Sequence, residues 1–381
     1  MKRAKGTQVK ILIGREGWQE PIPVTLTRDE IPRPGVEFSE MVRPNIGYVH
    51  VITFNETTDA DLAAALRQLN YAKLDGLIID LRENGGGLLN QAVGMADMFL
   101  ERNQIVVSHH GRNSSEHAYY AMKGNQGIDV PLAFVVNRDS ASASEIVSGA
   151  IQDHDRGLIV GDTTFGKGLV QQQYMLSNDT ALLLTSARYY TPSGRLIQRD
   201  YKSISLYEYH YERHVPEHPT EVKLTDSGRQ VTGGGGITPD VVIAAPKLTK
   251  FQETLIRGDV FFPYEQGVGG FTRYYLGTRP NVTKEFTVDD TVMHDLRTYL
   301  AKHNVKYTEP EMAENNDWIK RKIKQEVFMS VFGQQEGFKV ELEADPQVQK
   351  AVDSIPQARA LYENARKIVA QRMGGNTPDQ P

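Results

Sequence analysis

The 381-residue chain contains no cysteine, which excludes disulfide scaffolding, thiolate metal sites and a cysteine nucleophile together. Any catalysis must rest on oxygen, nitrogen or a metal. Long apolar runs are also missing. Stretches such as PLAFVV (131–136) fall far short of the roughly 18–20 residues that a membrane-crossing helix needs. Nor does one sign of charge dominate. The formal net charge is −5 and the pI near 6.1, with acidic and basic residues interspersed, so there is no broad footprint for nucleic acid and no polybasic tail for a membrane surface. The opening MKRAKGTQVKILIG is basic at first, but Lys10 interrupts its apolar part and no small-residue cleavage site follows, so it does not read as a signal peptide.

The length allows two or three domains, each large enough to bury a core. Residues 7–13 and 22–27 alternate as strands do, with polar GREGWQE between them as a turn. From about 44 to 246, strand-like segments (47–54, 74–81, 131–137, 157–161, 180–191) alternate with helical spacing over 58–70 and 88–101, which predicts an α/β core. NGGG (84–87) and GGGG (233–236) read as loops, and polar, tyrosine-rich 201–232 as an insertion. After 247 the pattern becomes helical: Ile319, Ile323, Val327 and Val331 recur four apart and end at Gly333. Asp345-Pro346 starts a further helix, with Leu361, Ala365, Ile368 and Val369 as its stripe.

NRDSASASEIVSGAIQDHD (137–155) follows a buried-type strand, and its apolar spacing starts a helix near Ala143. Ser142 then stands at a helix N-terminus, where S-x-x-E with Glu145 makes a capping box. The same place suits a nucleophile, because amides beginning with Ala143 face a developing oxyanion. A serine needs a base. No G-x-S-x-G elbow occurs, and His154, three turns along the same helix, is too distant to serve. A lysine kept neutral by burial is the alternative. Lys167 in GDTTFGKGLVQ (161–171) fits, with Leu169 and Gln171 on its face of the following strand, Leu169 keeping it dry and Gln171 orienting it. The bland readings are a plain helix cap and a solvated strand lysine. A phosphate loop is a further reading of this segment, but Gly168 stands where a Ser or Thr is required.

DLRENGGGLL (80–89), SASASEIVSGAIQD (140–153), TFGKGLVQ (164–171), YYTPSGRLIQ (189–198) and GGGGITPDV (233–241), in that order, together resemble the carboxyl-terminal processing peptidases, serine proteases related in core fold to the Clp protease and crotonase folds. The resemblance covers a little over half the chain. It implies an α/β, Clp protease/crotonase-like catalytic core with a helical C-terminal extension, and a Ser/Lys dyad. Ser142 would be the nucleophile, Lys167 the general base and Gln171 the residue orienting the lysine. The Ala143 and Gly87 amides would form the oxyanion hole, with Ser140 and Ser144 as neighbours only and Arg82 and Asn84 bracing the glycine loop. Residues 1–43 would be the end of a PDZ domain and a linker strand, 44–246 the core with its insertion, and 247–381 the extension. The expected partners are proteins or peptides recognised through their C-termini, with no cofactor and no metal, and a homo-oligomer formed through the C-terminal helices. The expected location is extracytoplasmic, in a bacterial periplasm or cell envelope, the signal segment being absent from this chain.

Three rivals remain. His210, His214 and His218 stand four apart, as zinc ligands on a helix would, but Pro216 breaks that helix. An acyl-CoA enzyme of the crotonase kind would not need a serine and a lysine 25 residues apart. A catalytically latent or non-catalytic protein-binding scaffold of the same fold is the third.

Overall fold

The computed structural model describes residues 4–14, 20–31, 33–112, 114–177, 180–200, 221–261, 270–279 and 281–374. The chain forms two compact units, Met1–Pro34 and Gly35–Pro381. The first holds an antiparallel pair, β1 (Gln8–Ile13) and β2 (Ile22–Thr27), at the two alternating segments of the sequence.

The second unit runs β3 (Val36–Arg43), β4 (Ile46–Val51), α1 (Thr58–Gln68), β5 (Gly76–Asp80), α2 (Leu89–Asp97), β6 (Ile105–Gly111), β7 (Ser114–Tyr120), β8 (Leu132–Val136), α3 (Ala143–Asp153), β9 (Leu158–Gly161), β10 (Leu169–Met175), β11 (Ala181–Tyr190), β12 (Glu221–Leu224), β13 (Gln230–Gly233) and β14 (Val241–Val242). Among the described residues seven helices follow: α4 (Lys250–Arg257), α5 (Phe271–Thr278), α6 (Asp290–Lys302), α7 (Glu309–Glu314), α8 (Asn316–Phe332), α9 (Gln334–Ala344) and α10 (Pro346–Gly374).

A six-stranded sheet, ordered β14-β9-β8-β5-β4-β3, is parallel except for β3 at its edge. Its strands are covered on both faces. Leu77, Ile79, Phe134 and Val136 pack against Leu62, Leu66, Met95, Ile146 and Val147 of α1–α3. Ile78, Ala133, Val135, Leu158 and Val160 pack against Val348, Ala351, Ile355 and Ala358 of α10. Double coverage explains why GLIID, LAFVV and LIVG read as continuous apolar runs rather than alternating ones. The architecture is the α/β core with a helical C-terminal region that the resemblance implies.

A second, antiparallel sheet is ordered β10-β11-β6-β7. Strands β6 and β7 were not foreseen, because only the short Ile-Val-Val of IVVSHHG and the closing tyrosines of SSEHAYY are of strand-forming type, the rest being serine, glutamate, histidine, alanine and glycine. The polar segment 201–232 lies mostly outside the described residues, which resume with the β12–β13 hairpin.

The C-terminal helices bury most of their stripes within this chain, but Val331 at the end of the first stripe is 39% exposed. Ile319, Ile323 and Val327 of α8 join an aromatic-rich cluster with residues of α4–α7. Asp345 caps α10, its carboxylate accepting the Gln347 and Val348 amides at 2.8 and 3.1 Å.

Candidate active site

The chain leaves β8 at the C-terminal edge of the sheet and enters α3 through Ser142. This residue has φ 56° and ψ −110°, a conformation that costs a side-chain-bearing residue about 1–3 kcal/mol and persists only where its surroundings impose it. Three serines cluster here, and their hydrogen bonds separate them. Ser140 Oγ donates to the Leu81 carbonyl at 2.7 Å and accepts the Asn137 amide at 3.0 Å, while Ser144 Oγ donates to the Asn84 carbonyl at 2.8 Å. The S-x-x-E capping box is present, the Ser142 oxygen turned to the Glu145 amide and the Glu145 carboxylate to the Ser142 amide, but the first contact falls short of a full cap hydrogen bond and the Ser142 hydroxyl donates to no group among the described residues. Ser140 and Ser144 are committed to the scaffold; the Ser142 hydroxyl is available.

Glu145, fully buried, is the hub of the site. Its Oε2 accepts the amides of Ser142 and Lys167, both at 2.8 Å. Its Oε1 accepts the Gly166 amide at 2.7 Å and the Thr164 hydroxyl at 2.6 Å. Thr164 Oγ1 in turn accepts the Ile237 amide at 2.7 Å, which leaves its own proton for Glu145. All four partners donate, as a carboxylate requires. Burial pushes the Glu145 carboxyl above its ordinary range, against the pull of hydrogen bonds from Thr164, Lys167, Ser142 and Gly166. Because two amides share one oxygen, the main-chain nitrogens of Ser142 and Lys167 are at most twice that 2.8 Å distance apart.

The glycine loop after β5 lies against the same corner. Buried Asn84 donates from Nδ2 to the Val51 carbonyl at 2.7 Å, accepts the Gly86 amide on Oδ1 at 2.9 Å, and its carbonyl accepts the Ala141 amide at 3.0 Å. Gly86, at φ +95°, is pressed so closely on α3 that a Cβ there would come within 2.6 Å of the Ala141 carbonyl and 2.9 Å of the Ala143 nitrogen. With the Gly86 amide taken by Asn84, the next amide is that of Gly87. Neither the Gly87 nor the Ala143 amide donates to another group among the described residues. The loop is anchored from behind by Arg82, which pairs with Asp80 at 2.6 Å and with Asp345 at 2.7 Å, and also donates to Gln347 at 2.9 Å.

The lysine is placed differently from expectation. Its backbone meets Glu145, but its side chain is exposed to solvent, and no hydrogen bond or ion pair joins it to Ser142 among the described residues. Leu169 does not keep it dry, because the segment leaves the core as it enters β10, where Gln171 is also exposed. The phosphate-loop reading fails in the fold as well: a strand, not a helix, follows Lys167. His154 is sequestered at the other end of α3, with Nδ1 2.7 Å from Asp226 and Nε2 2.8 Å from the Ile105 carbonyl. His210, His214 and His218 lie outside the described residues.

Glu145 was legible only as a cap. Its stronger role depends on Thr164, Gly166 and Lys167, about 20 residues away in sequence, and the S-x-x-E spacing carries no trace of them. Burial of a glutamate flanked by alanine, serine and isoleucine was the signal that could have found it.

Residues 45–204 match Peptidase family S41. The carboxy-terminal-processing protease of Bartonella bacilliformis is 33% identical over 291 residues, covering 74% of this chain and 58% of that protein. The carboxyl-terminal-processing protease of Synechocystis sp. is 37% identical over 202 residues, 52% of this chain and 47% of that one. A solved photosystem II D1 C-terminal processing protease is 27% identical, with a TM-score of 0.42, covering 63% of this chain and 56% of that chain. The chain spans about half the length of the curated relatives it matches. With its α/β core and the five motifs in order, it carries a domain of peptidase family S41.

Proposed function

We propose that the chain is the catalytic part of an ATP-independent serine endopeptidase that cleaves proteins near their C-termini through a Ser/Lys dyad. The observation that carries this reading is the shared Glu145 Oε2, which draws the backbones of Ser142 and Lys167 together while the serine hydroxyl proton stays undonated among the described residues. The long, flexible lysine stem swings its amine over Ser142. The neutral amine takes the hydroxyl proton, Oγ attacks the scissile carbonyl, and the Ala143 and Gly87 amides hold the oxyanion. The lysinium then protonates the leaving amine, and a water deprotonated by the same lysine releases the acyl group. Gln171 orients the amine.

The names of the relatives support the C-terminal preference. Within this reading residues 1–43 are the end of a PDZ domain and a linker strand, β3, that joins the edge of the core sheet, 44–246 are the core and 247–381 an extension, in an extracytoplasmic enzyme. Among the described residues no helix is long and apolar enough to cross a membrane. A homo-oligomer formed through the C-terminal helices would use their outer faces and the exposed Val331, since most of their apolar stripes are covered by this chain. A second reading, a latent form of the same fold, is favoured by the exposure of Lys167.

Lys167→Arg tests the mechanism. A guanidinium cannot act as the neutral base, so peptide turnover should fall by about 10²–10⁴ with unchanged circular dichroism. Undiminished cleavage of an unstructured protein by this variant would remove the dyad. A wild-type chain that cleaves nothing would leave the latent reading.

A further inference from the structure

The β10–β11 ribbon is built unlike an ordinary sheet edge. Among the described residues β10 is an outermost strand, and from Leu169 to Leu176 it carries no charge and no proline, the devices by which proteins usually protect an edge from pairing. Residues 171–175 are exposed on both faces. Beside them Leu182, Leu183 and Leu184 are 44%, 58% and 48% exposed, and β11 pairs with β6 at Arg188–Tyr190, so among the described residues the outer ribbon is two-stranded. Two strands alone are marginal in water.

The edge has a direction. The Leu176 amide donates to Thr180 and the Gly168 carbonyl accepts from Tyr189, so even-numbered residues of β10 face β11. The ladder's irregularity between Val170 and Gln171 leaves out Ser186 on β11, not a residue of β10. By alternation the amides of Leu169, Gln171, Gln173 and Met175 face outward. Lys167 has the same parity, and its amide meets Glu145, which also holds Ser142. The open edge therefore runs in line to the site.

We propose that the substrate polypeptide docks as an added strand on the outer edge of β10, and that this strand supplies the dry cover which Lys167 lacks. The ribbon suits an extended segment free of charge, held by main-chain hydrogen bonds and flanked by the exposed Tyr174, Met175 and leucines. A peptide laid toward Ser142 passes over Lys167 and excludes water from it. This inference rests on the proteolytic reading but is tested apart from it.

The test is fluorescence anisotropy of a Ser142→Ala chain with a labelled, uncharged Ala/Val/Thr dodecapeptide. Gln173→Pro removes one outward amide without touching the ladder to β11 and should weaken binding roughly three- to tenfold, whereas Gln173→Ala should not. The same peptide N-methylated at alternate residues should lose affinity for the unaltered edge, a result that requires no ribbon variant to fold. Equal affinity for the methylated and plain peptides, or equal losses from Gln173→Pro and Gln173→Ala, overturns the proposal. So does sedimentation showing that Gln173→Pro separates a dimer with peptide affinity unchanged, which would give the edge to a second copy. A wild-type chain that binds in this main-chain-dependent way yet hydrolyses nothing would sink the protease reading and leave the docking edge standing.

Discussion

The two ends of α3 are opposites. At its N-terminus neither the Ser142 hydroxyl nor the Ala143 amide donates to any group among the described residues, and the backbone is held at positive φ. At its C-terminus almost every polar group is matched. Asp153 pairs with Arg195 at 2.7 Å, both side chains 1% exposed. Arg195 also donates to Gln152 at 2.6 Å, and Arg229 bridges Asp155 and Asp240, each at 2.6 Å. Buried Arg156 spends its protons on the Phe99, Val130 and Ile128 carbonyls and lies over the Tyr362 ring. One end is a foundation and the other a worksite. A helix pinned this firmly at one end can hold costly geometry at the other, because strain persists only where the surroundings over-determine it.

The largest way to break the contrast is Arg195→Leu. It strands a buried Asp153 carboxylate and should lower unfolding stability in urea by about 3–5 kcal/mol, while molecules that stay folded keep their turnover per site. Glu145→Gln should do the converse. One carboxylate oxygen becomes a donor facing donors, at a stability cost of about 1–3 kcal/mol, and turnover should fall more than the lost stability accounts for, because Ser142 and Lys167 are no longer drawn together. Equal proportional losses of stability and turnover in both variants would erase the distinction.

The smallest effect sharpens the comparison through pH. Burial would lower the His154 pKa, but the hydrogen bond and charge of Asp226, the Ile105 carbonyl and the Asp153 charge outweigh it, and the net shift is upward. Both ring nitrogens face acceptors, so the imidazolium satisfies both. A raised folded-state pKa gives a contribution that is fully present below the ordinary histidine value near 6.5 and is lost as pH rises through the folded-state value, with a slope of up to about 1.4 kcal/mol per pH unit. Thermal midpoints between pH 6 and 9 should show this decline in the wild type and not in His154→Gln.

Much of this was legible because local pattern and burial agree. β5, β8 and β9, covered on both faces, announce themselves as apolar runs, and α3 begins where its apolar spacing begins. Ser142, Ala143 and Gly87 were placed by motif, and the fold gathers them at one corner. What stayed hidden is long-range. Nothing in the neighbourhood of Asp153 points to Arg195, and nothing near Glu145 points to Lys167. The solvent exposure of Lys167 was misread, since alternation along a strand tells which residues share a face but not whether anything covers that face.

The second face of the six-stranded sheet is covered by α10, a helix that comes after every strand in chain order. During translation the sheet must wait, half bare, until residues beyond 346 have left the ribosome. The Arg82–Asp345 clasp behind the glycine loop closes only then, so the loop beside Ser142 gains its rear brace late in synthesis.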